Sequence, residues 1–226
     1  MEGIANSFGV DGLLGKLNQI CDGTETKGKY SFYHYNCVHG LGHGLMVVYE
    51  NELFTSLDVC TRLDDEWEQE SCYGGVYMEN VMAETNPDHS TKYLKSDEPL
   101  YPCTAVEDKF KHSCYMMQTS HALVVVGQDY GKVFELCSTV GQHEATCYQS
   151  LGRDASGSTS SDIERTRALC MLGPSQAARE NCIIGAVKDF ISYHHNDQQA
   201  RLFCRSLENS LKNTCDQTAI EYYRTF

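Results

Sequence analysis

Two histidines four residues apart lie in the most glycine-rich stretch of the chain, Cys37-Val38-His39-Gly40-Leu41-Gly42-His43-Gly44. On a helix this spacing stacks His39 and His43 on one face, where two imidazoles can share a metal ion. Three glycines in so short a helical stretch cost about 1 kcal/mol each relative to alanine, so a close backbone approach or a demanded site geometry must compensate. A carboxylate and a third imidazole join them when the chain is read in register with its cysteines. Glu79 and His121 each lie seven residues past a cysteine, and His43 lies six past one. Three imidazoles and a carboxylate suit one divalent ion, Zn, Cu, Fe or Mn, with Glu79 as a ligand or as the general base beside an activated water.

The cysteines must bring these residues together. There are twelve, an even number and well above cytosolic usage, and no Cys-x-x-Cys occurs. That pattern points to disulfides and an oxidising compartment, and away from zinc ribbons and thioredoxin-like pairs. Taken consecutively, Cys21 pairs with Cys37, Cys60 with Cys72, Cys103 with Cys114, Cys137 with Cys147, Cys170 with Cys182 and Cys204 with Cys215, at separations of 16, 12, 11, 10, 12 and 11. The second members recur at intervals of 33 to 42 residues, the period of a helical hairpin.

An all-α fold follows. Six hairpins are expected, each with a helix A that ends at its first cysteine, a helix B that begins near the second, and a bridge that clamps the two. In-register stacking would build an α-solenoid or a closed α/α toroid. The units run roughly over residues 10–50, 51–84, 93–127, 128–155, 162–196 and 197–226 of a single domain spanning 1–226. An insertion at 84–102 and a polar linker at 155–162, ending in Asp162 as a helix cap, interrupt the period. Small residues three past the second cysteine, Gly40, Gly75, Ser150, Gly185 and Thr218, are expected to let B helices approach closely, with Met117 the exception. The period and the paired cysteines resemble α-solenoids of the tetratricopeptide and Sel1-like type. The Trp, Gly, Ala and Pro consensus of those repeats is absent, and the resemblance implies a scaffold rather than an activity.

Around the register positions, Tyr73, Tyr77, Met78, Tyr115, Met116, Met117 and Gln118 supply apolar walls with polar tips, the composition of a ligand cleft. Most of that stripe is expected in the hairpin core. Tyr73 and Tyr115 are the candidates for a catalytic role beside Glu79, and Gln118 for substrate contact. Arg153 and Asp154 hold the equivalent positions on the fourth B helix. They read as an ion-paired surface, or, in a closed ring, as groups that orient an anionic or hydroxyl-bearing substrate. His34, His112, His143, His194 and His195 lack this register and are expected at the surface, with His34 close enough in sequence to support the site.

Composition bounds the rest. The chain of 226 residues is 41% hydrophobic and 10% aromatic, enough for a core burying roughly 70% of the unfolded surface. Eighteen Lys and Arg against thirty-one Asp and Glu leave a formal charge of −13, which repels nucleic acid. Apolar runs such as Leu45–Tyr49 and Ala122–Val126 are too short to span a membrane. No secretory leader is visible at the start of the chain, whereas the cysteines imply a secreted, periplasmic or extracellular setting, with leader or anchor removed. Gly-x-Ser-x-Gly, His-Glu-x-x-His, P-loop and dinucleotide fingerprints are absent from the sequence. The expected function is an extracytosolic metal-dependent enzyme, hydrolytic or oxidative, acting on a small molecule or peptide in a central cavity. A non-catalytic repeat module for a protein or peptide and a metal storage or delivery protein are the alternatives.

Overall fold

Five helix starts in this chain coincide with Ser or Asp residues whose side chains accept hydrogen bonds from the first exposed amides. In the computed structural model, which describes residues 12–24, 31–83 and 91–226, Ser31 caps α1 (Phe32–Val48) and Asp65 caps α3 (Glu66–Met82). Asp129 caps α5 (Tyr130–Cys137), Asp162 caps α7 (Ile163–Cys170) and Ser175 caps α8 (Gln176–His194). Each such cap is worth about 1 kcal/mol. The remaining helices are α2 (Leu53–Cys60), α4 (Asp108–Val125), α6 (Glu144–Ser158), α9 (Gln198–Arg205) and α10 (Asn209–Tyr223). The described residues contain no strand. The class is all-α.

All six expected disulfides form: Cys21 with Cys37, Cys60 with Cys72, Cys103 with Cys114, Cys137 with Cys147, Cys170 with Cys182 and Cys204 with Cys215, at Cα–Cα distances from 5.4 to 5.8 Å. Helices α2, α5 and α7 end on the first cysteine of their pairs, and α9 ends one residue past Cys204. The B helices start earlier than the second cysteine. Helix α6 begins at Glu144, ahead of Cys147, and α10 begins at Asn209, so that the fully buried Cys215 lies well inside its helix. Each bridge therefore ties the end of an A arm to the body of the following B helix, and, except at the half-buried Cys37, the cysteine on the B side joins the core instead of marking a helix start.

The third hairpin departs from this plan. Residues 91–107 contain no α-helix, only turns, although Cys103 still bridges to Cys114. Pro99 and Pro102 explain this, because each lacks an amide donor and disfavours helical geometry in the residue before it. The segment is held instead by side chains: Thr91 donates to Asn80 Oδ1 (2.7 Å), and Tyr93 Oη and Lys92 Nζ each donate to Glu52 (2.7 Å). Of the expected insertion, residues 84–90 lie outside the described residues. In the first hairpin the described part of the arm before Cys21 is helical at 12–14 and ends in a 3-10 turn at Leu17–Gln19, with Leu13 and Leu17 buried.

The first half of the expected linker at 155–162 is helix. Helix α6 continues through Ser158, and Ala155 and Ser156 are fully buried. Only Thr159–Asp162 connect, with Ser160 and Ser161 in the left-handed region. Packing of Ala155 against the core outweighs the loop-like composition of the segment.

The described residues form two compact units that divide inside α4, one up to Met117 and the other Gln118–Phe226. In the first, α1 packs along α3. In the second, α6 packs along α8, and α8 along α10. Successive B helices are thus neighbours within each unit, and glycines set how close they come. A Cβ on Gly75 would lie 1.9 Å from His39 O, and one on Gly42 would lie 2.1 Å from Cys72 O. The second unit repeats this device. A Cβ on Gly185 would lie 1.8 Å from Gln149 O, and one on Gly152 would lie 1.9 Å from Cys182 O. Gly40, expected at such a contact, has nothing within 4 Å; the position five past the cysteine, Gly42 and Gly152, makes the approach instead.

Candidate functional site

The close backbone contact determines which side chains meet one turn further along. Where α1 crosses α3, His43, six past its cysteine, reaches Glu79, seven past the next: His43 Nδ1 and Glu79 Oε2 are 2.6 Å apart. The same pairing recurs in the second unit. Ser120 Oγ donates to Asp154 Oδ1 (2.9 Å). The preceding positions pair as well, since Thr119 and Ser150, both fully buried, share a 2.5 Å hydrogen bond where the α1–α3 and α6–α8 crossings have two glycines. One hairpin on, the charge of Arg153 acts on the carboxyl of Asp189.

His43 and Glu79 are partly accessible, with side chains 27% and 17% exposed, so a ligand can approach the ring. His39 lies one turn before His43, the ring centroids 5.1 Å apart and steeply inclined. Its Nδ1 is 3.3 Å from Tyr35 Oη, and its ring stacks on that of Tyr35 at 5.3 Å. Gly74 leaves room for this ring: a Cβ there would be 3.2 Å from His39 Nδ1. Trp67 closes the row with its edge against Tyr35 at 6.1 Å. A stripe from Trp67 through Tyr35, His39 and His43 to Glu79 therefore follows the α1–α3 crossing. Both imidazoles turn Nδ1 toward a protein oxygen. Among the described residues, no group of three or more His, Cys, Asp or Glu side chains is arranged to hold a metal ion.

The other predicted residues make different contacts. Tyr73 is buried, donates to Gln69 Oε1 (3.3 Å) and packs on the edge of Phe110 at 4.9 Å; burial, helped by the charges of Glu70, Asp58 and Glu107, pushes its hydroxyl pKa up to about 12. Tyr115 is likewise in the core, its pKa raised by burial. Gln118 and His121 belong to the second unit and are buried. Arg153 and Asp154 are paired with each other at 2.6 Å, and Asp154 also accepts from Thr119 Oγ1 at 2.6 Å. That carboxylate is saturated by its own unit. His34, expected at the surface, is buried in the first turn of α1, where Nε2 meets Glu68 Oε1 (2.8 Å) and Nδ1 meets Thr24 Oγ1 (2.7 Å). Both ring nitrogens are engaged, so its role is structural.

Sequence reasoning passed over Tyr35, Trp67 and Ser120. Tyr35 and His39 are four apart, the signal that pairs His39 with His43, and Ser120 stands in the same column as His43. Charge is also unevenly distributed. The first 117 residues hold eight Lys and Arg against nineteen Asp and Glu, a formal −11, whereas the last 109 hold ten against twelve. No helix of the described residues is long and apolar enough to cross a membrane. Comparison with protein-family models, with curated proteins and with solved structures finds no match.

Proposed function

We propose that the protein binds a divalent transition-metal ion through Nε2 of His39 and His43 in an oxidising compartment outside the cytosol, and uses it as a metal-dependent enzyme. The observation that carries this reading is the 2.6 Å contact of His43 Nδ1 with Glu79 Oε2. A carboxylate behind a histidine holds the proton on Nδ1, leaves Nε2 as the donor atom and raises its basicity, the usual support for a metal-ligating imidazole. Tyr35 Oη lies 3.3 Å from Nδ1 of His39, where accepting that nitrogen's proton would leave Nε2 as the donor atom. Imidazole donors suit zinc, copper and iron.

Two protein ligands would leave the remaining coordination positions to water and substrate. The bound ion would supply Lewis-acid or redox chemistry. Glu79 then orients His43 rather than serving as the free base. The formal −11 of the first 117 residues favours a cation near this unit. Six disulfides favour an oxidising compartment.

Elemental analysis of the disulfide-intact protein after reconstitution with zinc, copper or iron tests the proposal. One ion per chain, lost in His43→Ala and His39→Ala, is expected. Protein that retains no metal, or retains it equally in both variants, contradicts the reading.

A further inference from the structure

A cavity of about 820 Å³ lies between the fifth and sixth hairpins, within the second unit, and the metal reading makes no use of it. Its size falls in the range of small-molecule pockets, about 300 to 1,000 Å³. Helices α7, α8 and α10 and the turn before α10 line it. Apolar surface comes from Met171, Leu207 and Leu211, and charge from Arg167, Arg179 and Glu208.

The two guanidinium groups differ. Arg167 is neutralised locally, with Nη1 donating to Ser206 O (2.8 Å) and Nη2 paired with Glu164. Arg179 uses only Nε, which donates to Gly173 O at 2.9 Å. That bond anchors the half-buried side chain, and its two terminal nitrogens carry no hydrogen bond or ion pair among the described residues. A guanidinium held by Nε offers its outer edge as a rigid two-donor fork, the arrangement that carboxylates and phosphates accept bidentately. Glu208, exposed on the same cavity and without a capping bond to α10, opposes a second anionic group. One guanidinium fork, one opposing carboxylate and an apolar wall therefore select a single negative head on an apolar body.

The geometry points to a binding site here for a small organic monoanion, a carboxylate or phosphate monoester, whose head sits on Arg179 and whose apolar body covers Leu207 and Leu211. This assignment is independent of the metal reading.

Isothermal titration of the disulfide-intact protein with octanoate, phenyl phosphate and inorganic phosphate tests it, with the side-chain methyl signals of Leu207 and Leu211 followed by NMR. Saturable binding of one organic anion per chain is expected, weakened about tenfold or more in Arg179→Gln, as the loss of a charge-assisted bidentate contact implies. Shifts at both leucines are expected as well. Which anion binds distinguishes carboxylate from phosphate. A second variant, Ser210→Trp, fills the cavity from an exposed position and should abolish binding while leaving the unfolding midpoint unchanged. Failure of both organic anions to bind overturns the site, as does binding that neither variant weakens. Inorganic phosphate binding as tightly as phenyl phosphate overturns the apolar half of the assignment.

Discussion

Replacing Gly75 by alanine would put a methyl group 1.9 Å from His39 O and 3.2 Å from the Cα of Gly42. Both obstacles are main chain, so no side chain can swing aside. Ordinary contact begins near 3.4 Å, and α1 and α3 must therefore part by roughly 1.5 Å. Overpacking of a core costs about 1 to 3 kcal/mol, and separating two helices belongs at the top of that range. The alanine recovers about 1 kcal/mol of helix propensity, leaving a net loss of about 2 kcal/mol. Gly40→Ala, on the neighbouring helix and with nothing within 4 Å, should gain up to about 1 kcal/mol by propensity alone. The two variants should thus fall on opposite sides of the wild type, about 3 kcal/mol apart. Urea unfolding followed by far-UV circular dichroism, with the bridges intact, measures the difference. The same separation stretches the 2.6 Å contact of His43 with Glu79, so metal affinity should fall in Gly75→Ala and persist in Gly40→Ala. A Gly75→Ala midpoint at or above that of the wild type would refute the close crossing, and with it the geometry of the site.

Three other outcomes are expected. Removing the Cys137–Cys147 bridge by a double alanine substitution should cost about 3 kcal/mol, read from the same unfolding curves; an unchanged midpoint would deny the bridge a stabilising role. Burial raises the Asp189 carboxyl above its ordinary 3.8, with Arg153 pulling the other way. A group so raised adds stability below its ordinary value and loses that contribution as pH climbs through the folded value. Asp189→Asn should therefore raise the unfolding midpoint at pH 7 and bring no gain well below pH 3.8; an equal gain at both would sink the assignment. Glu79→Gln should weaken metal binding roughly 10- to 100-fold, the usual effect of losing the group behind a ligand, without unfolding the chain. Titration of the variant with the metal alone checks this, and unchanged affinity would remove Glu79 from the site.

What spacing could reveal here was whatever covalent geometry repeats. Twelve cysteines at near-equal separations admitted one simple pairing, from Cys21 with Cys37 through to Cys204 with Cys215, and every pair forms. A fixed count from each second cysteine put His43 beside Glu79 in the crossing of α1 with α3, whose glycine contact recurs where α6 crosses α8. Local composition misled where packing decided the outcome. Ala-Ser-Gly-Ser reads as linker, yet Ala155 and Ser156 are fully buried and the helix runs through them. Gly40 was chosen for the crossing because the third position past the cysteine is small in most hairpins. The partner of Gly75 is Gly42, and a one-dimensional repeat does not reveal which face of a helix meets its neighbour. Tyr73 and Tyr115 flank the site residues in the repeat but turn into the core, where burial rather than chemistry raises their pKa values. The fork of Arg179 could not have been found from sequence, since it depends on an anchoring bond to Gly173 and on residues from three helices.

The most direct test is a long-range ¹H–¹⁵N NMR experiment on the imidazole rings as zinc is added to the disulfide-intact protein. The account predicts that Nε2 of His39 and of His43 shifts to a metal-bound position while Nδ1 of His43 keeps its proton, held by Glu79. Rings that do not respond to zinc, or a His43 that coordinates through Nδ1, would contradict it.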